Sequence, residues 1–206
     1  MIVVANGGSL ADISPALIFG PLRDKYGPVI AVNGAIRYLT TADMWFTCNR
    51  SFANLRIMLR PDHGCEYYAA TNKQLPDHVT RLIPVVGGRK AGVKPPRKYH
   101  RTDYQMWHQS ARKGLSLVPG YIHAGNSAWG ALQLAVHKGA KEILLIGVDG
   151  TSDERATGGY SKDLRHLPKL FASAVPDLDA LGVRVINCSP ASAVDCFEKR
   201  SVKEML

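Results

Sequence analysis

No apolar run in this 206-residue chain approaches the roughly 18 consecutive residues that a membrane-spanning helix needs. No basic segment precedes the apolar start, and a turn follows it at once, so the opening does not read as a secretory signal. A soluble, cytoplasmic protein is the expectation. Cysteine is sparse: Cys48, Cys65, Cys188 and Cys196 are scattered and form no C-x-x-C pair. They read as small packing residues or free thiols rather than a structural zinc site. The lysine-bearing phosphate loop of ordinary P-loop kinases is missing. So are the carboxylate clusters that hold hard metal ions. Acidic residues are in deficit, with 17 Asp and Glu against 26 Lys and Arg, a formal net charge of +9.

The excess charge is concentrated. Between Gly87 and Gly114 stand Arg89, Lys90, Lys94, Arg97, Lys98, Arg101, Arg112 and Lys113, opposed only by Asp103. Such a field attracts nucleic acid, anionic membrane or phosphorylated and acidic small molecules; the alternative is a solvated loop with no partner. Tyr99, Tyr104 and Trp107 lie among these cations, where aromatic rings serve either base stacking or anchoring of the loop. Pro95-Pro96 and Gly92 discourage a regular element, so a partly mobile basic insertion over about 87–114 is expected.

The most informative stretch is the start. Ile2 to Val4 reads as a buried strand, Asn6-Gly7-Gly8-Ser9 as a tight turn, and Leu10 as the first residue of an amphipathic helix. Glycines allow close backbone approach and helix starts attract anions, so this loop reads as a phosphate or nucleotide site. A plain glycine turn with Ser9 as N-cap is the other reading.

Further along, Val29–Val32, Met44–Thr47, Arg81–Val86, Ile143–Ile146 and Val183–Ile186 read as strands, with Pro84 hinting at an edge position. Helices are expected over Leu10–Lys25, broken near Pro15 and Gly20-Pro21, over Ser127–Lys138 with Gly139 as its stop, and over about Leu164–Leu181. Alternating apolar strands and helices imply one α/β, Rossmann-like domain over 1–206, with a mostly parallel sheet covered on both faces. Asn6, Asn33, Asn49, Asp149 and Asn187 follow strands closely. Each alone suits a turn, but together they make a polar rim at the carboxyl ends, where open parallel sheets bind ligands.

Asn6-Gly7-Gly8-Ser9-Leu10, the strand-end Asn33 and Asn49, and the run from Asn126-Ser127-Ala128-Trp129 through Gly139-Ala140-Lys141-Glu142-Ile143 to Gly147-Val148-Asp149 resemble the bacterial lipooligosaccharide sialyltransferases. The likeness covers about half the chain and omits the basic middle. A related signature occurs in archaeal-type pterin pyrophosphokinase-like proteins. The resemblance implies a metal-independent glycosyltransferase that needs no cofactor and takes a CMP-sugar as donor. Asn6, Gly7, Gly8 and Ser9 would meet the nucleotide, Asn126 and Ser127 the donor sugar, and Gly147 and Asp149 the nucleoside. Asn33 and Asn49 would hold donor or acceptor sugar. The family's base is a histidine, which falls at His166; a helix-surface or capping role is the alternative. Gly150 and Thr151 stand where the family has its first lid tyrosine, leaving Tyr160 for that task.

Two other classes stay open: a pyrophosphokinase-like enzyme using a nucleoside triphosphate with magnesium, and a non-catalytic nucleotide- or nucleic-acid-binding protein. The partners implied are a nucleotide-sugar, an acceptor glycan or other small molecule, an anionic partner at the basic segment, and a second copy if the protein is a homo-oligomer.

Overall fold

The computed structural model describes residues 1–97, 100–151, 154–159 and 163–206. The strands are β1 (Ile2–Val4), β2 (Val29–Val32), β3 (Met44–Thr47), β4 (Glu66–Ala70), β5 (Val79–Val85), β6 (Tyr121–His123), β7 (Glu142–Ile146), β8 (Arg184–Asn187) and β9 (Glu198–Lys199). They form one nine-stranded sheet in the order β6-β5-β4-β3-β2-β1-β7-β8-β9, and every pairing is parallel. The α/β, Rossmann-like architecture read from the sequence is the one observed.

Why the central strands are apolar at every position follows from that arrangement. Side chains alternate between the two faces of a strand, and both faces are covered. Val3, Ile30, Phe46 and Leu145 enter one core with Trp129, Leu132 and Phe171. Their neighbours Ile2, Val4, Ala31, Trp45 and Leu144 enter the other with Leu10, Ile36 and Met58. The first core is capped by the helix Ser127–His137, which sits so close to β3 that a Cβ on Gly130 would lie 2.7 Å from the Phe46 ring. Gly139 follows in the left-handed conformation at φ 82° and ends that helix, as the sequence pattern requires.

Other expectations need correction. The stretch expected as a helix over Leu10–Lys25 is a chain of short turns. A 3-10 turn covers Gly8–Asp12, helical turns cover Pro15–Leu17 and Arg23–Tyr26, and a wider turn at Ile18–Leu22 contains Pro21. The helix expected over Leu164–Leu181 is two, Leu167–Ala172 and Val175–Leu181, the second opening on Pro176 within its first turn.

Pro84 does not lie on an edge strand, because β5 pairs with β4 on one side and β6 on the other. Ile83 N–H donates toward β6, so the neighbouring Pro84 nitrogen faces the β4 side. There the pairing has already ended at Ala70 and Leu82, so the missing N–H costs no ladder bond.

The basic segment is more regular than Pro95-Pro96 and Gly92 predict. It holds a 3-10 turn at Gly88–Ala91 and a helix at Arg101–His108, while Lys98 and Tyr99 lie outside the described residues. Trp107 Nε1 donates to the Val93 carbonyl at 2.6 Å, Lys169 pairs with Asp103 at 2.5 Å, and Lys90 N–H donates to Ser110 Oγ at 3.2 Å. The Trp107 ring anchors the loop.

Candidate functional site

The chain builds outward from β1 through β6, then crosses back to place β7 against the free side of β1. That reversal leaves a crevice beyond the carboxyl ends of β1 and β7, the usual ligand position in an open α/β sheet. A cleft of about 1140 Å³ opens there and runs along the strand ends. Its wall includes Asn6, Gly7 and Gly8 after β1, Asn33 after β2, Asn49 after β3, Asn126 and Ser127 after β6, and Gly147 and Asp149 after β7. These residues, read from the sequence as candidates for one site, do meet in one cleft. Asn187 is fully buried instead, with Nδ2 donating to the Val194 carbonyl at 2.9 Å.

The first loop works differently from a phosphate cradle. Ser9 N–H donates to Asp149 Oδ2 at 2.9 Å, and Ser9 Oγ donates to Oδ1 at 2.5 Å. Gly7 N–H is taken by the Gly147 carbonyl at 2.9 Å. The anion drawn to this turn is the protein's own carboxylate, and Ser9 is not part of the cleft wall. Ser9 thus serves in this structure as a clamp on Asp149. Nor is it an N-cap, since Gly7 holds that position without a side-chain bond.

The donors run in one direction. Gly147 N–H donates to Ser189 Oγ at 3.1 Å, Ser189 Oγ lies 2.9 Å from Ser9 Oγ, and the Ser9 hydroxyl ends on Asp149. With the Ser189 proton pointing to Ser9, every hydroxyl in the chain both donates and accepts. The glycines make this closeness possible: a Cβ on Gly7 would lie 2.5 Å from Asp149 Oδ2, and one on Gly147 would overlap the Ala5 carbonyl oxygen.

Asn6 donates through Nδ2 to Thr157 Oγ1 at 2.6 Å. Its Oδ1 is buried with no hydrogen-bond partner among the described residues. An orphan acceptor in a ligand cleft invites a donor from the ligand.

The rim after β2 and β3 is a knot of amides and a hydroxyl. Asn33, at φ 51°, accepts through Oδ1 from Thr47 Oγ1 at 2.6 Å and from Asn54 Nδ2 at 3.1 Å. Asn54 Nδ2 also lies 2.9 Å from Thr47 Oγ1 and 2.7 Å from the Asn49 carbonyl. Asn54 and Thr47 were missed by sequence reasoning. Asn54 sits inside the helix Phe52–Met58 and Thr47 ends β3, and neither position stands out locally. Asn33 is therefore held from within, while Asn49 is exposed.

Asn126 caps the helix Ser127–His137, accepting from Ala128 N–H at 2.7 Å, and Ser127 Oγ accepts from Cys48 N–H at 3.0 Å. These bonds aim the start of an 11-residue helix into the cleft. The Cys48 thiol, 3.7 Å from the Asn126 carbonyl, is pushed up to about 12 by burial, which leaves it protonated and inert.

His166 lines the same cleft and is only 1% exposed. It directly precedes the helix Leu167–Ala172 and caps nothing with its side chain. Nε2 faces the Gly125 carbonyl at 3.3 Å, which assigns the proton to Nε2. Nδ1 is buried with no partner among the described residues. Burial lowers its pKa, against the opposing pull of the Gly125 carbonyl and Asp163. The ring is thus neutral near pH 7 and offers a free lone pair. Tyr160, the expected lid residue, lies outside the described residues.

From the basic segment only Lys90, Gln109 and Ser110 reach the cleft wall among the described residues, and the wall also takes Arg37 after β2 and Lys73 after β4. Among the described residues no group of His, Cys, Asp and Glu could hold a metal ion, and no helix is long and apolar enough to cross a membrane. Compared with family models, curated proteins and solved structures, the chain matches none. The fold class and the cleft's place in it define the protein so far: a Rossmann-like α/β protein with a ligand crevice at its topological switch point.

Proposed function

We propose that this cleft is the active site of a metal-independent glycosyltransferase that uses a nucleotide-activated sugar of the CMP type. The observation that carries the reading is the neutral, buried His166, whose Nδ1 has no partner among the described residues, in a wall that also holds the amides of Asn6, Asn33, Asn49 and Asn126 and the hydroxyls of Ser127 and Thr157. Such a wall suits the hydroxyls of sugar and ribose. In the reaction, an acceptor hydroxyl attacks the anomeric carbon of the donor. The bond from that carbon to the phosphate oxygen breaks, CMP leaves with the electron pair, and the acceptor proton passes to His166 Nδ1. A positioned base of this kind contributes about 10²–10⁴-fold to rate.

Asn6 Oδ1 supplies the acceptor for a base amino group or ribose hydroxyl, and Asn126 and Ser127 meet the donor at the helix start, whose dipole favours the phosphate. Asp149 keeps lone pairs for a ribose hydroxyl, but its first task is to hold Ser9. Asn33 and Asn49 face the sugars.

Calorimetry with CMP, CDP, UDP, GDP and ATP, each with and without magnesium, tests the reading. Cytidine nucleotides binding without metal is the expected outcome. Binding confined to ATP with magnesium replaces it with a pyrophosphokinase-type activity.

A further inference from the structure

The cleft, at about 1140 Å³, stands at the large end of small-molecule sites, which run to about 300–1,000 Å³, and its charged residues are unevenly spread. The acidic residues of the described wall are Asp149 and Asp163, both in segments after β7. Arg155 stands with them in the segment after β7, while the opposite wing carries no acidic residue among those described and holds Arg37 from the helix after β2, Lys73 from the turn after β4, and Lys90 from the turn after β5. All three are exposed, and their side chains have no ion pair or hydrogen bond among the described residues. Strands in a sheet are about 4.8 Å apart, so the ends of β2 and β5, which lead into the outer two of these segments, stand roughly 14 Å apart. A ligand with phosphates at separate positions matches that spread better than a single phosphate does.

We propose that this wing is a second-substrate subsite for a carbohydrate bearing more than one phosphate group. The three cations hold the phosphates, while Asn49, Thr71 and Asn72 on the same wall meet hydroxyls. The described wall contains no Phe, Tyr or Trp, and single-stranded nucleic acid is usually held by stacking its bases on such rings. Sugar rather than base therefore fits. The backbone of Lys90 is fixed before binding: its N–H donates to Ser110 Oγ, and Gly88, two residues earlier, packs where a Cβ would meet the Trp107 carbonyl oxygen at 2.5 Å. The subsite's role as acceptor site rests on the glycosyltransferase reading; its binding chemistry does not.

The test is calorimetry on the full chain with fructose 1,6-bisphosphate, fructose, inorganic phosphate and a ten-nucleotide oligo-dT, each with and without saturating CMP. The bisphosphate is expected to bind, fructose not measurably, and inorganic phosphate at least tenfold more weakly. Arg37→Ala and Lys73→Ala together should weaken the bisphosphate at least tenfold. Lys73→Arg should retain most of the affinity, and Lys203→Ala, on the C-terminal helix Val202–Met205, should change nothing. Unchanged melting temperatures exclude unfolding as the cause.

Competition by CMP overturns the subsite, because the cations then hold the donor's phosphate, and leaves the donor reading standing. Bisphosphate binding by a protein that binds no CMP keeps the subsite and removes the glycosyltransferase reading. Inorganic phosphate binding as tightly as the bisphosphate, or oligo-dT binding more tightly per phosphate, overturns the proposal.

Discussion

Ser9 and Asp149, 140 residues apart, are joined by two hydrogen bonds, from the serine amide and from its hydroxyl to the two carboxylate oxygens. This joins the loop after β1 to the loop after β7 at the point where the strand order reverses. The shape of the cleft floor thus depends on a contact that no stretch of local sequence contains.

Asp149→Ala strands the Ser9 amide and hydroxyl, and the expected loss of stability is about 1–3 kcal/mol. Ser9→Ala should cost less, because the backbone N–H at position 9 still reaches Asp149. A double-mutant cycle in urea should return a coupling of about 0.5–3 kcal/mol for residues in one network. Strict additivity would show that the clamp carries no energy. Nucleotide affinity should fall in Asp149→Ala and in Asn6→Ala, each by about 1–3 kcal/mol. Unchanged affinity in both variants would remove the donor site from this end of the cleft.

Two glycines with positive φ should respond unequally to alanine. Gly139, at φ 82°, has open space where a Cβ would stand, so Gly139→Ala should cost only the left-handed backbone penalty of about 1–2 kcal/mol. Gly147, at φ 67°, would drive a Cβ into the Ala5 carbonyl oxygen. Overpacking adds about 1–3 kcal/mol to the same penalty, and the Asp149 clamp is displaced with it. Equal melting temperatures for the two variants would contradict the tight packing of the β1 and β7 loops.

The Asn54 amide supplies the donors that hold Asn33, Thr47 and the Asn49 carbonyl together. Asn54→Ala leaves these acceptors short of a partner and should cost about 1–3 kcal/mol. Asn54→Asp should cost more, since a carboxylate would face the Asn33 and Asn49 oxygens with no proton between them. If aspartate proves the milder change in thermal unfolding, the assigned direction of these bonds is wrong.

How much of this was legible in the chain depends on the range of the signal. The central strands could be read because burial on both faces makes them continuously apolar, and Gly139 marked a helix end by its own backbone requirement. Strands β4, β6 and β9 escaped notice. Tyr67 and Tyr68 in β4 interrupt an aliphatic run, while β9 is only Glu198–Lys199 and exposed. Strand-end residues pointed to the cleft because parallel topology sends all carboxyl ends to one side. Their roles could not be read the same way. Ser9 and Asp149 both stand in motifs that the sequence singles out, yet only their distance shows that one is spent on the other. Asn54 joins the site through contacts to three residues at the ends of β2 and β3, and helical spacing carries no trace of that.

The histidine permits a prediction with two independent readouts. Burial lowers the His166 pKa from its ordinary value of 6.5, so the unfolded chain takes up a proton there before the folded one does. Stability from this group is therefore full above about pH 6.5 and is lost as pH falls toward the lower folded value. His123, also lowered chiefly by burial, adds to the same slope. Carboxylates held low by basic or hydroxyl partners, such as Asp43 and Glu66, lose their share only in the more acidic range below 4.5. Urea unfolding at pH 5.5 and 7.5 should show a smaller difference for His166→Gln than for the wild type, with the His123 contribution remaining. Transfer activity should decline over the same acid limb as His166 Nδ1 is protonated, and His166→Gln should lose about 10²–10⁴-fold in kcat. A variant that keeps its activity while losing the stability slope would leave His166 a buried structural histidine and return the base to another residue of the cleft.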